Sequence, residues 1–168
     1  MSAAATAPEG WDEAAEGRYL RRAIALSAEG RARGNRPFGA LIVDASGELL
    51  AEAWCDTTER GDCTGHAEVN AIRRAHPAHG RARLEGATLY SSAEPCVMCA
   101  GAIFWSGIRR VVFGIDAVAL RVFRGELATQ RDAELSCREV FAASPHAIRC
   151  IGPVLDQEAE AVHQGFWR

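Results

Sequence analysis

The chain is 168 residues long, enough for one domain that buries roughly 70% of its unfolded surface without cross-links. Hydrophobic residues make up 48% and charged residues 24%, which excludes a disordered or fibrous chain. Formal net charge is −3, which argues against a dedicated nucleic-acid binder, because phosphate contacts call for a basic surface.

Residues 1–11 are small and polar and are expected to form a disordered tail ahead of a single domain over 12–168. From about Asp12 to Arg33 the apolar positions Tyr19, Leu20, Ala23, Ile24 and Leu26 recur at helical spacing, and "RGNRP" ends that helix. "FGALIVDA" (38–45) and "LLAEAW" (49–54) read as two strands around a Ser-Gly turn. A polar loop, "CDTTERGDCTG", leads into a helix over about 66–76. A strand over 87–92, a helix over 96–105 and a strand over 109–115 follow. Residues 116–135 read as irregular and polar, 147–152 as a last strand and 155–167 as a final helix. Strands alternating with helices predict a layered α/β fold with a partly parallel sheet.

The first residues lack a basic n-region and an apolar run, so no signal peptide is expected. No stretch approaches the roughly 20 apolar residues of a transmembrane helix. The expected location is cytoplasmic, with no membrane partner. Six cysteines are too few for a disulfide scaffold at this length. In a reducing compartment they point to metal or catalysis.

In "EPCVMC", Cys96 and Cys99 are three apart and share a face if helical. Pro95 suits a first helical turn. A helix N-terminus also lowers thiol pKa, favouring the thiolate that a metal requires. "CTGHAEVNAI" adds His66 and Glu68, which do not face one another on a helix. His66, Cys96 and Cys99 together make three ligands suited to zinc, the number that leaves a fourth position to water. Glu68 need not bind the metal. It can reach that water from another side, accept its proton and pass it to a leaving group.

The joint pattern, H-x-E followed by P-C-x-x-C, is the signature of zinc deaminases. The chain resembles the cytidine deaminase superfamily from about Asp12 to its end. "PFGALIVD", "HAEVNAIR" and "EPCVMCAGAIFWSGIRRVVFG" are similar to its nucleobase branch, which holds guanine deaminases, cytosine deaminases of the fungal kind and tRNA adenosine deaminases. The resemblance implies a three-layer α/β/α cytidine deaminase-like fold with a central five-stranded mixed sheet. It further implies one Zn2+ per chain, a homodimer and a small-molecule nucleobase substrate. Water activated by zinc would add to the ring carbon bearing the exocyclic amine, and Glu68 would protonate the ring nitrogen and then the departing ammonia.

The same resemblance suggests substrate contacts. The backbone N–H of Ala67 would hold a ring carbonyl, and Phe38 would pack near the base. Trp105, nine residues after Cys96, sits where guanine deaminases carry a pocket tryptophan. Glu126 in "FRGELA" is the candidate second acid for guanine's N–H groups, ahead of Asp116. The alternative is core packing for Phe38 and Trp105, and a solvated loop position for Glu126.

Two positions depart from the family. Cys55 stands eleven residues before the zinc histidine, where the family usually has a base-binding Asn. Either the neighbouring Asp56 takes over, or the substrate is not the usual one. Cys63, three residues before His66, is either a fourth ligand that closes the site or a loop-packing residue. In "VHQGFW", Phe166 and Trp167 are either a lid or the docking face of the last helix.

Four readings follow. Deamination of a free purine, guanine first, leads, and cytosine or a nucleoside is the nearest alternative. tRNA adenosine deamination shares the core motifs but is disfavoured by the net charge and the acidic "LDQEAEAV". A non-enzymatic zinc module, closed by Cys63, leaves Glu68 without a purpose.

Overall fold

The structure, a computed structural model, describes residues 7–125 and 135–167. Glu126 lies outside the described residues. The elements are helix α1 (Glu13–Ala32), strands β1 (Gly39–Val43) and β2 (Leu49–Trp54), helices α2 (Thr57–Arg60) and α3 (Ala67–Glu85), and strand β3 (Thr88–Ala93). Helix α4 (Val97–Ser106), strand β4 (Arg110–Ile115), helices α5 (Ala117–Arg124) and α6 (Cys137–Ala142), strand β5 (Arg149–Ile151) and helix α7 (Asp156–Ala161) complete the order.

The five strands form one mixed sheet in the order β2-β1-β3-β4-β5. β1 runs antiparallel to β2 and β3, whereas β3, β4 and β5 are mutually parallel. Because side chains alternate across a strand, each strand feeds both faces. Ala40, Ile42, Leu89 and Val111 point into a core with Ala71 and Ala75 of α3, Ala100 and Ile103 of α4, and Phe141 of α6. Leu41, Val43, Tyr90, Val112 and Ile151 point the other way, onto Leu20, Ala23 and Ile24 of α1, Leu120 of α5 and Ala159 of α7. This is a three-layer α/β/α sandwich, the cytidine deaminase-like fold.

Local chemistry explains the elements. The Asp12 carboxylate accepts the Ala14 and Ala15 N–H groups and caps α1. A Cβ at Gly39 would fall 2.2 Å from the Ala23 carbonyl oxygen, so glycine lets β1 lie this close beneath α1. Gly47 turns the β1–β2 hairpin at φ 89°, and Asp44 Oδ1 accepts the Ser46 and Glu48 N–H groups.

Several expectations need correction. Helix α3 continues to Glu85 rather than ending near 76. The chain bends at Gly80 (φ 76°) and resumes, with Leu84 buried beyond the bend. The stretch over 116–135 is not wholly irregular, because Asp116 caps α5 through the Ala119 N–H at 2.7 Å. Asp116 is thus a helix cap rather than a free acid. The α6 start is a capping box of Ser136 and Glu139. The last helix is shorter than expected, and 162–167 folds back as turns. Residues 7–11 belong to the domain: Trp11 packs on the core, and Arg110 Nη2 donates to the Gly10 carbonyl at 2.8 Å. Among the described residues, no helix is long and apolar enough to cross a membrane.

Candidate active site

Helices α3 and α4 pack together, and each begins at the site. His66 is the N-cap of α3 and Cys96 the N-cap of α4, both in extended backbone. Neither side chain caps its own helix, so imidazole and thiol can turn toward a shared point. The positive ends of two helix dipoles meet there, which suits thiolate.

His66 Nδ1 lies 3.5 Å from Cys96 Sγ and 3.5 Å from Cys99 Sγ. The donor atoms of these three residues all fall within 4.8 Å of one another. A tetrahedral zinc with ordinary Zn–N and Zn–S bonds separates its nitrogen and sulfur ligands by about 3.5 Å. Donor set and spacing therefore fit zinc. The hydrogen bond from the Cys99 thiol, with help from His66, holds Cys96 at about 4, a thiolate. Cys63 is exposed and outside the group, so the four-ligand closed site does not form.

Glu68 is buried within the first turn of α3. Its Oε1 accepts a 3.0 Å hydrogen bond from Ser91 Oγ of β3, and its Oε2 lies 3.4 Å from Cys99 Sγ. Burial foremost, and then the Cys96 thiolate, push this carboxyl above the usual carboxylate range. A carboxyl raised in this way holds a proton more readily than an exposed one, which suits a group that takes a proton and gives it back. Ala67 between them is buried, and as the first helical residue its N–H has no partner within the helix.

Phe38 immediately precedes β1, and its carbonyl accepts the Cys55 N–H at 2.9 Å. Its ring packs 5.4 Å from that of His163 and 6.1 Å from that of Trp167. The Arg124 guanidinium covers both Phe38 and Trp167. Trp167 Nε1 donates to His163 Nδ1 at 3.1 Å, and Phe166 meets Trp167 edge-on. The aromatic tail is thus docked against the Phe38 wall. His163 escaped sequence reasoning, since one histidine in a polar segment gives no sign that it is 1% exposed.

Two sequence-based candidates lie apart. Trp105 is 75% exposed and sits nine residues beyond Cys96, about 13 Å along a helix. Its ring packs on Phe104, so it is neither in this chain's site nor in the core. Asp56 does not take over from the missing Asn. Its Oδ1 accepts from Asn70 Nδ2 at 2.8 Å and its Oδ2 pairs with Arg60 at 2.7 Å. Cys55 is buried, with Sγ 3.4 Å from Thr57 Oγ1.

The model for the cytidine and deoxycytidylate deaminase zinc-binding region matches residues 14–115. A probable cytosine deaminase of Schizosaccharomyces pombe is 40% identical over 89% of this chain and 90% of its own length. The guanine deaminase of Bacillus subtilis is 42% identical over 58% of this chain, and the match spans 63% of that protein. A solved structure from work on A-to-I editing by tRNA:A34 deaminases superposes with a TM-score of 0.69 at 30% identity, covering 87% of this chain and 99% of that one. Site, fold and relatives agree: the chain belongs to the cytidine and deoxycytidylate deaminase family, with zinc as its cofactor.

Proposed function

We propose that this deaminase acts hydrolytically on a free nucleobase, with cytosine as the first substrate and guanine as the second reading. The observation that carries the reaction is the trio His66, Cys96 and Cys99 with the buried Glu68 carboxyl against it. Zinc at such a site lowers the pKa of water to about 7 and supplies the nucleophile at neutral pH. The remaining work falls to the chain. Ser91 fixes Glu68 Oε1, leaving Oε2 as the atom that carries one proton from water to the ring nitrogen and then a second, from the added hydroxyl, to the departing ammonia. The Ala67 N–H binds a ring carbonyl. Phe38 packs on the base, and the docked Trp167 keeps water from behind that wall.

The choice of cytosine rests on the Schizosaccharomyces pombe protein, matched along nearly its whole length. Sequence reading alone puts guanine first, through Trp105 and Glu126. Trp105 stands on the surface, and Glu126 lies outside the described residues. Identity to the Bacillus subtilis guanine deaminase keeps guanine second. A tRNA substrate is disfavoured by the net charge of −3 and by the acidic Asp156, Glu158 and Glu160 of α7. The same reading takes the chain to be a cytoplasmic homodimer, which light scattering at twice the chain mass checks.

The test is kcat/KM of the zinc-loaded chain for cytosine, guanine, their nucleosides and an anticodon stem-loop, followed by ultraviolet absorbance and inosine analysis. Cytosine should be turned over and the RNA left intact. Turnover of guanine with cytosine inert would reverse the order of the two bases. Deamination of the RNA alone would overturn the free-base reading.

A further inference from the structure

Cys137 and Cys150 lie outside the zinc site and have no part in the proposed reaction. Cys137, the first residue of α6, is buried, and Cys150 is the middle residue of the edge strand β5 and half-buried. Their sulfurs are 3.6 Å apart, although the residues are thirteen positions apart in sequence. We propose that they are a reversible dithiol–disulfide site, oxidised by low-molecular-weight disulfides such as glutathione disulfide.

Three observations support this. The sulfurs already touch, and closing to a bond of about 2.05 Å needs a shift of about 1.5 Å, within reach of side-chain rotation. The two positions differ in access as a directed exchange requires, with Cys150 partly open to a small disulfide and Cys137 sealed behind it. Their acidities differ in the same sense. The hydrogen bond from the Cys137 thiol, with Arg138 nearby, draws the Cys150 thiol below its ordinary value, whereas that bond and burial push Cys137 up. Arg138 Nη1 also donates to the Cys150 carbonyl at 2.8 Å and holds β5 against α6.

The chemistry balances. The Cys150 thiolate attacks one sulfur of the small disulfide, forming a mixed disulfide and expelling one thiolate. Cys137 then gives its proton to solvent and attacks the Cys150 sulfur, expelling the second thiolate. Two protein thiols are oxidised as one external disulfide is reduced. Oxidation would tie β5 to α6 beside Glu94, whose Oε1 accepts from Ser136 Oγ at 2.8 Å and lies 3.6 Å from Cys137 Sγ.

The experiment incubates the zinc-loaded full chain in glutathione buffers of increasing oxidation, quenches with N-ethylmaleimide in acid and maps the peptides by mass spectrometry. We expect a Cys137–Cys150 linked peptide that grows with the oxidised fraction and disappears with dithiothreitol. Cys137→Ser should instead keep a stable glutathione adduct on Cys150, and Cys150→Ser should leave Cys137 free of adduct. Wild-type protein that stays alkylated at both cysteines in the most oxidising buffer would overturn the proposal. So would a link that appears only when the chain is denatured before oxidation, and this arm needs no variant to fold.

Discussion

Ser91 Oγ, on the central strand β3, donates a 3.0 Å hydrogen bond to Oε1 of Glu68 on α3. The sheet, rather than solvent, thereby sets which carboxyl oxygen faces the zinc ligands. Removing that bond frees the carboxyl to rotate without touching a ligand. Ser91→Ala should therefore keep its zinc and lose turnover by about tenfold or more, since a hydrogen bond to a charged group is worth about 1.5–3 kcal/mol. Unchanged kcat with unchanged zinc would mean that Glu68 is held in place by other contacts.

The ligand set makes two opposite statements about cysteines. Cys96→Ala removes one of three donors, and elemental analysis should show strongly reduced zinc. Cys63→Ser alters an exposed thiol outside the group and should leave zinc content and turnover near those of the parent. Zinc loss in Cys63→Ser would reopen the closed, four-ligand site.

Much of this site was legible because its chemistry is local in sequence. His66 and Glu68 are separated by one residue, Cys96 and Cys99 by two, and Pro95 announces the helix that presents them. The strands were legible from short apolar runs bounded by turn residues, such as "FGALIVDA" ahead of the Ser-Gly turn. The rest depended on packing between distant segments. Ser91 reads as an ordinary strand serine until β3 is laid under α3. Trp105 reads equally well as a pocket or core residue, and only the orientation of α4 puts it 75% in solvent. Helix α5 turns Ala119, Leu120 and Phe123 to the core, but it is only eight residues long and its apolar Val118 and Val122 face solvent, which blurs the stripe in the sequence. Helix α6 did carry a readable signal, the Ser136-x-x-Glu139 capping box.

His163 gives the fold a dependence on pH. Burial, with Arg124 of α5 and Arg31 of α1 facing it, pushes its imidazole down to about 4, from about 6.5 in an unfolded chain. Between those values the unfolded chain binds the extra proton and the folded one does not, so stability rises with pH there. The contribution is complete above about 6.5 and is lost as pH falls toward 4, by at most about 3 kcal/mol. Protonation would also remove the lone pair that accepts the Trp167 N–H. Urea unfolding of the parent should weaken between pH 7 and pH 5 more steeply than that of His163→Gln. Parallel slopes would show that His163 is not the titrating group.

The central claim is that one zinc and one carboxyl share the work of deamination, and ammonia release measured with zinc content in the same samples tests it. Zinc-loaded parent protein should release ammonia from cytosine or another member of the nucleobase panel. Glu68→Gln, with zinc undiminished, should be slower by at least about 10²–10⁴-fold, the usual worth of positioned acid–base catalysis. Glu68→Gln turning over at near the parent rate, or a fully zinc-loaded parent that releases ammonia from no member of the panel, would contradict it.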